Sequence, residues 1–218
     1  MPGSDFSSHD PEFGPDQIAQ CARLVAGARE LNRRLLRLSG STEDLSAAAD
    51  RLDALLASLE PVNQTRAMET FAFRFDADDP NGAMPFNPAT GGFNPVAPEL
   101  AMSLEGDTLV VRMEFGDSYE SGPDTVQGGM VAALYDQMLA FVVMAAGKTG
   151  HTAWLKVTYL KPTPINQPLR FEARVGSVDG KKYTTLGACY LGDVKISEAE
   201  ALVLGAYDLL PAPSLDEG

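Results

Sequence analysis

The chain is poor in histidine and cysteine, two common metal ligands. Its 218 residues contain two of each. One histidine, His9, lies in a polar N-terminal stretch and the other is His151, so a histidine-rich metal site is excluded. Cys21 lies on a helix-like stripe and Cys189 in a strand-like run. This usage predicts two reduced structural thiols in a cytosolic protein, and no secretory signal segment is recognised near the N-terminus.

Basic residues are also scarce relative to acidic ones. Seventeen Lys and Arg residues stand against thirty Asp and Glu residues, which gives a formal net charge of −13. Such a charge excludes sequence-independent binding of nucleic acids, and an anionic ligand would need a local basic patch. The apolar run at residues 130–146 is short for a bilayer span and contains Asp136. We therefore expect a soluble cytoplasmic protein with no membrane or nucleic-acid partner.

The N-terminal quarter of the chain has its own pattern. Residues 1–14 are polar, contain Pro and Gly, and are predicted to form a disordered tail. Residues 15–60 carry apolar side chains at helical spacing in two stretches. Ser41, followed three residues later by Asp44, resembles a capping box at the start of the second stretch. The pattern predicts a helical hairpin that packs on the main domain or on a dimer partner, or that recruits a separate partner.

Residues 61–98 connect the predicted hairpin to the rest of the chain. From residue 76 onward they are rich in Pro, Gly, Asn and Asp. An irregular stretch this long is either a functional cover over a site or a flexible linker. Its apolar members favour a packed cover: Met84, Phe86, Phe93 and Val96.

Between residues 99 and 210 the apolar period changes to two, which is typical of strands. One alternating run precedes the apolar helix that starts at Gly128, and four runs follow it, with turn signals at Gly180 and Gly192. This order predicts an α+β domain in which an antiparallel sheet wraps around one central helix. Residues 211–218 are predicted to form a second tail.

The start of the central helix carries a chemical signal. Gly128 and Gly129 open the helix and leave free backbone N–H groups at the positive end of its dipole. Asp136 lies inside this helical run, which is apolar on all sides and is therefore expected to be buried rather than amphipathic. An ionised carboxylate there is costly unless it has a partner or a use. Amides that stabilise an oxyanion, together with a buried acid, indicate acyl chemistry.

These residues also resemble a known family. The segment 122–129 reads Gly-Pro-Asp-Thr-Val-Gln-Gly-Gly, Asp136 follows seven positions after its last Gly, and residues 157–162 read Val-Thr-Tyr-Leu-Lys-Pro. Over residues 90–207 the chain resembles the hotdog-fold acyl-CoA thioesterases of the PaaI-like group. The resemblance implies a hotdog fold, hydrolysis of an acyl-CoA thioester, and a homodimer or tetramer with sites at the dimer interface.

The same resemblance assigns roles to three further residues. Gln127 stands where the family commonly has a histidine that hydrogen-bonds near the thioester. A Gln amide can donate such a bond, but it cannot transfer a proton at neutral pH. Thr152 falls where a small hydroxyl residue orients the acid or the water. Ser121 lies near a position where some relatives carry an Asn that helps the site.

Thioester hydrolysis needs a polarised carbonyl and either an activated water or a protein nucleophile. The Gly129 N–H suits the first role. Asp136 suits the second, as general base or as nucleophile, and the sequence leaves both open. Seven helical residues place the two on nearly one face but about 10 Å apart along the axis. One carbonyl cannot contact both, so we expect each site to combine Gly129 and Gln127 of one chain with Asp136 of another.

CoA carries phosphates, and lysines near strand ends are candidates to bind them. The lysines predicted in this way are Lys161, Lys181 and Lys182. Gly128 and Ser121 complete the predicted substrate-binding residues. No cofactor is expected, because CoA is part of the substrate. Two other functions stay open. A hotdog enoyl hydratase would need a histidine near Asp136, and a non-catalytic acyl-CoA-binding protein or scaffold is favoured by the Gln at position 127.

Overall fold

The computed structural model describes residues 15–59, 75 and 77–208. Both predicted tails and residues 61–74 of the predicted cover lie outside the described residues. Within the described part, the helices are α1 (Pro15–Leu35), α2 (Thr42–Leu59) and α3 (Gly128–Ala145). The strands there are β1 (Leu100–Glu105), β2 (Thr108–Met113), β3 (Glu120–Gly122), β4 (Thr125–Val126), β5 (Lys148–Tyr159), β6 (Leu169–Asp179), β7 (Lys182–Leu191) and β8 (Val194–Asp208).

Six of the strands in the described part form one antiparallel sheet in the order β1-β2-β6-β7-β8-β5. The hairpins β6–β7 and β7–β8 turn at Gly180 and Gly192, whose φ values of +57° and +58° favour glycine. α3 packs on one face of this sheet. The predicted α+β hotdog architecture, with an antiparallel sheet around a central helix, is therefore confirmed.

Tyr135 fixes the rotation of α3 against the sheet. Its ring meets Phe171 edge-on at 5.4 Å between centroids, and its hydroxyl is hydrogen-bonded to the buried Ser197 Oγ at 2.9 Å. A Cβ at Gly187 would lie 2.9 Å from the Tyr135 ring, so glycine makes room for it. Burial raises the pKa of Tyr135, which keeps the phenol neutral. Because Tyr135 points into the core, its neighbour Asp136 points away from it.

The expectation that Asp136 is buried with the rest of the helix is wrong for the single chain. Nine residues of α3 are buried, but Gly129, Ala133 and Asp136 are exposed along one face. We call this face the open strip of α3. By length and composition α3 would qualify as a membrane-spanning helix, yet here it is the core helix of the sheet domain. The sequence did not reveal this exposed face, because Gly and Ala count as apolar residues but do not need to be buried.

The two N-terminal helices occupy the region of the predicted hairpin. The capping box at the start of α2 is present, since the Asp44 N–H donates to Ser41 Oγ at 3.1 Å and Ser41 Oγ donates to Asp44 Oδ2 at 2.9 Å. α1 contacts the domain through Arg29, which donates to the carbonyl of Asn94 at 3.0 Å. None of the described residues of α2 is buried.

The described part of the cover, residues 77–98, folds back on the sheet domain. Phe86 and Phe93 pack with ring centroids 5.8 Å apart, and Ala97 is fully buried. Asn87 Nδ2 donates to Gln137 Oε1 on α3 at 2.6 Å. This last bond ties the cover to the helix one residue from Asp136.

Candidate functional site

Gln127 caps the N-terminus of α3. Its extended backbone and its side-chain oxygen, which accepts from the Met130 N–H at 3.0 Å, are typical of an N-cap residue. Its own N–H donates to the carbonyl of Tyr119 at 2.8 Å, which fixes the loop before the helix. Because the side-chain oxygen is used in the cap, the exposed amide nitrogen of Gln127 is the group left to donate to a ligand.

Each glycine of the Gly pair makes room for a polar side chain. A Cβ at Gly128 would lie 3.3 Å from the Tyr159 hydroxyl, and a Cβ at Gly129 would lie 2.7 Å from Gln127 Oε1. The space beside Gly129 is thus occupied by Gln127 and not open to a ligand on that side. The N–H groups of both glycines have no acceptor among the described residues, as expected for the first turn of a helix.

Asp136 is exposed on the open strip and has no hydrogen bond or ion pair within the described residues. It lies seven residues after Gly129, nearly on the same face and about 10 Å further along the axis. Ala133 lies between them on the strip, and its small methyl group fills little of the space above the helix. Within one chain the carboxylate therefore cannot contact a carbonyl that is held by the Gly129 amide.

Gln137 lies at the side of this strip and was missed by the sequence analysis. It accepts the bond from Asn87 and donates through Nε2 to Met84 Sδ at 3.1 Å. Asn87 Oδ1 in turn accepts from the Ala89 N–H at 2.7 Å. These bonds hold the cover against α3 beside Asp136. The only sequence signals were the turn-forming Asn-Pro pair at residue 87 and the position of Gln137 next to the acid.

Thr152 and Ser121, the two hydroxyl residues predicted for the site, form no hydrogen bond with Asp136 within the described residues. Thr152 is half-buried on β5, opposite Val203 of β8 and next to a bulge. Ser121 is exposed on the short strand β3. Their roles in the site stay predictions.

The predicted lysines fall at opposite ends of the sheet. Lys161 follows Tyr159, whose hydroxyl donates to the Gly128 carbonyl at 2.5 Å, so it lies at the end where α3 begins. Lys181 lies in the β6–β7 turn, and Lys182 is the first residue of β7. Lys182 pairs with Leu204 of β8, which on its other side pairs with His151 near the far end of β5. Eight strand residues separate the two ends, roughly 26 Å. One chain does not bring these lysines together.

Comparison with known proteins places this geometry in context. No model of a protein family matches the sequence. A thioesterase superfamily protein of known crystal structure is 27% identical and aligns over 90% of this chain and 93% of its own, with a TM-score of 0.72. A hypothetical thioesterase from Streptococcus pneumoniae, crystallised with coenzyme A, is 16% identical over 51% of this chain and 92% of its own, with a TM-score of 0.49. The PaaI protein of the E. coli phenylacetic acid degradation operon is 14% identical over 51% and 83%, with a TM-score of 0.48.

Of these three structures, the first aligns along most of both chains, which is a larger share of this chain than the sequence resemblance covered. The sheet order, the central helix and the Gly pair at its start agree with the resemblance drawn from the motif. The chain is therefore a hotdog-fold protein with the architecture of the thioesterase superfamily.

Proposed function

We propose that this protein is an acyl-CoA thioesterase, which hydrolyses a thioester to a free acid and CoA. The observation that carries the proposal is the open strip of α3. There, the Gly129 amide and the Asp136 carboxylate lie on one exposed face, and neither has a partner among the residues that the structure describes. The similarity to a thioesterase superfamily protein along 90% of the chain supports this chemistry for the strip.

In the proposed reaction the Gly129 N–H donates to the thioester carbonyl oxygen. This oxygen gains negative charge as the carbonyl carbon is attacked, and the positive end of the α3 dipole favours that charge. The exposed amide nitrogen of Gln127 is a second donor beside it. No proton transfer is required of Gln127, which agrees with its amide chemistry.

Asp136 promotes the attack on the thioester carbonyl carbon in one of two ways. As a general base it takes a proton from water, the hydroxide attacks the carbonyl carbon, and the CoA thiolate leaves. As a nucleophile it displaces the CoA thiolate and forms a mixed anhydride, which a water molecule then hydrolyses to the free acid. Both routes give the same products and restore the carboxylate.

The distance between the two groups requires two chains. Since Gly129 and Asp136 of one helix lie about 10 Å apart, we propose that each thioester lies between the Gly129 amide of one subunit and the Asp136 of another. The open strip is where the second subunit would contact the first. Among the described strands, β5 (Lys148–Tyr159) is an edge strand of the sheet, and we propose that this edge pairs with β5 of the second copy.

The remaining predicted residues fit this assembly. Lys161 lies near the Gly pair of its own chain, whereas Lys181 and Lys182 would have to reach the same CoA from the other subunit. The cover, held to α3 by Asn87 and Gln137, would line the acyl side of the site. No cofactor enters the reaction. A cytoplasmic location is part of the proposal, supported by two free cysteines.

Thiol release from a panel of short aliphatic, long-chain and aryl acyl-CoA thioesters tests the proposal. The wild-type protein should release CoA from at least one class, and Asp136→Asn should lower kcat by at least about 10²-fold with an unchanged melting temperature. Asp193→Asn, which changes an exposed acid in the β7–β8 turn, is the matched control and should keep full activity.

Two results would count against the enzyme. Wild-type protein that binds acyl-CoA without releasing thiol would favour the non-catalytic binding protein. Release that is equal in the wild-type protein and in Asp136→Asn would remove Asp136 from the reaction.

A further inference from the structure

Tyr159, the last residue of β5, reaches the first turn of α3. Its hydroxyl donates to the Gly128 carbonyl at 2.5 Å. A Cβ at Gly128 would lie 3.3 Å from the hydroxyl oxygen and 3.4 Å from Cζ of the same ring, which is a tight contact. The glycine at 128 therefore allows the phenol to approach, and this contact is separate from the Gln127 cap that occupies the space beside Gly129.

The bonded carbonyl belongs to the peptide group whose N–H is the proposed oxyanion donor. The Gly128 C=O and the Gly129 N–H share one planar amide, in which they point in opposite directions. The phenol thus binds the side of the peptide that faces away from a substrate at the N–H. A donor on the carbonyl oxygen draws charge through the amide and makes its N–H a stronger donor.

We propose that Tyr159 is a positioning residue that orients the Gly128–Gly129 peptide and strengthens its N–H toward the thioester oxyanion. This inference rests on the proposed function for its effect on catalysis. Tyr159 itself touches neither substrate nor reacting atoms. A helical carbonyl has two lone pairs, so it can accept the phenol as well as its bond along the helix.

The phenol is suited to this task at neutral pH. A tyrosine hydroxyl keeps its proton at neutral pH and can donate, and partial desolvation raises the pKa of Tyr159 further. The residue closes the segment Val-Thr-Tyr-Leu-Lys-Pro, and the backbone N–H groups of Leu160 and Lys161 both donate to the Ile196 carbonyl, at 2.9 and 3.0 Å. These bonds anchor the end of β5 and hold the ring over Gly128.

Tyr159→Phe removes the hydroxyl and keeps the ring. A single oxyanion donor contributes about 10²- to 10³-fold to the rate. One cooperative bond changes the strength of such a donor by about 10–30%. Losing that fraction of the donor's free energy should lower kcat by about two- to eightfold. KM should not change. Tyr190→Phe, which removes a hydroxyl on the outer face of the sheet beside Arg170, is the matched control and should keep wild-type kcat.

A second readout needs no substrate. The amide proton and nitrogen resonances of Gly129 should shift upfield in Tyr159→Phe and stay in place in Tyr190→Phe, because the peptide loses its polarising donor. Gly128→Ala, which presses the phenol away, should move the Gly129 resonances in the same direction. The double variant Gly128→Ala/Tyr159→Phe should show no further loss of kcat beyond the larger single effect.

Unchanged Gly129 resonances in Tyr159→Phe would overturn the inference, and so would a fall in kcat without that shift. If the wild-type protein releases no thiol but the Gly129 resonances shift as expected, the proposed function fails while the polarised peptide is supported. If Tyr159→Phe keeps wild-type kcat in an active enzyme, the inference fails and the proposed function stands.

Discussion

The helices α2 and α3 are equally long but are stabilised in different ways. Each has 18 residues, and nine residues of α3 are buried whereas none of the described residues of α2 is. Four leucines of α2 are exposed: Leu45, Leu55, Leu56 and Leu59. A leucine stripe therefore predicts a helix correctly without telling what the helix packs against. α3 is fixed because a six-stranded sheet lies on its face.

The polar residues of the two helices differ in the same way. Charges on α2 form an ordinary solvated surface. In α3 the single carboxylate, Asp136, stands on an open strip of small residues, and its direction is set by Tyr135 beneath it. The difference teaches that a rare polar residue on a core helix carries more functional information than many on a surface helix.

Truncating one leucine in each helix tests this difference most strongly. Leu134→Ala should lower the free energy of unfolding by about 2–5 kcal/mol, because Leu134 is 1% exposed in the core. Leu56→Ala should change it by less than about 0.5 kcal/mol, because Leu56 is 54% exposed. Urea unfolding followed by circular dichroism measures both, and equal losses would show that α2 is packed in solution.

Removing the Tyr135 hydroxyl should cost less than truncating Leu134. Tyr135→Phe removes the 2.9 Å hydrogen bond to the buried Ser197 hydroxyl and should lower stability by about 1–3 kcal/mol. Adding Ser197→Ala should recover most of this loss, because both polar groups are then gone. If the double variant is as unstable as the sum of the single variants, the hydrogen bond does not anchor α3.

Alkaline pH should weaken the core beneath α3 through Cys189. Burial raises the pKa of this thiol to about 12, against about 8.5 in an unfolded chain. Its contribution is complete below the unfolded pKa and is lost as pH rises toward the folded pKa. Stability should fall by about 1 kcal/mol between pH 9 and pH 10. In Cys189→Ala, the slope of stability against pH over this interval should be smaller, and an unchanged slope would contradict this assignment.

A local effect is expected at the α2 cap. Ser41→Ala removes the acceptor of the Asp44 N–H and should destabilise the first turn of α2 by about 1 kcal/mol. Hydrogen exchange should accelerate in that turn and remain unchanged in α3. Faster exchange in both helices would mean that α2 is coupled to the sheet domain.

The parts predicted from sequence were those set by local pattern. The Ser41–Asp44 box and the Gly180 turn depend on residues a few positions apart. β1 was missed because Leu100–Glu105 is composed of Leu, Ala, Met, Ser and Glu, most of which favour helices. It is a strand because its residues pair with β2, from Leu100 opposite Met113 onward.

The candidate site was only partly predictable for a related reason. The Gly pair and Asp136 are read from their spacing within one helix. The contacts Tyr159–Gly128 and Asn87–Gln137 join residues 31 and 50 positions apart, and no local pattern encodes them. Asp136 is exposed because its neighbour Tyr135 faces the core. The orientation of Tyr135 is in turn set by its contacts with strands of the sheet.

The central claim, that two chains share each thioester, is tested by mixed dimers. Gly129→Pro deletes the amide N–H and adds a Cβ that would lie 2.7 Å from Gln127 Oε1, so it removes both proposed donors of one half-site. Asp136→Asn removes the carboxylate of the other half-site. Each homodimer should be inactive. Heterodimers purified through two different tags should recover about half of the wild-type kcat, because one of the two sites then holds an intact amide and an intact acid. Confirmed heterodimers that remain inactive would contradict the shared site.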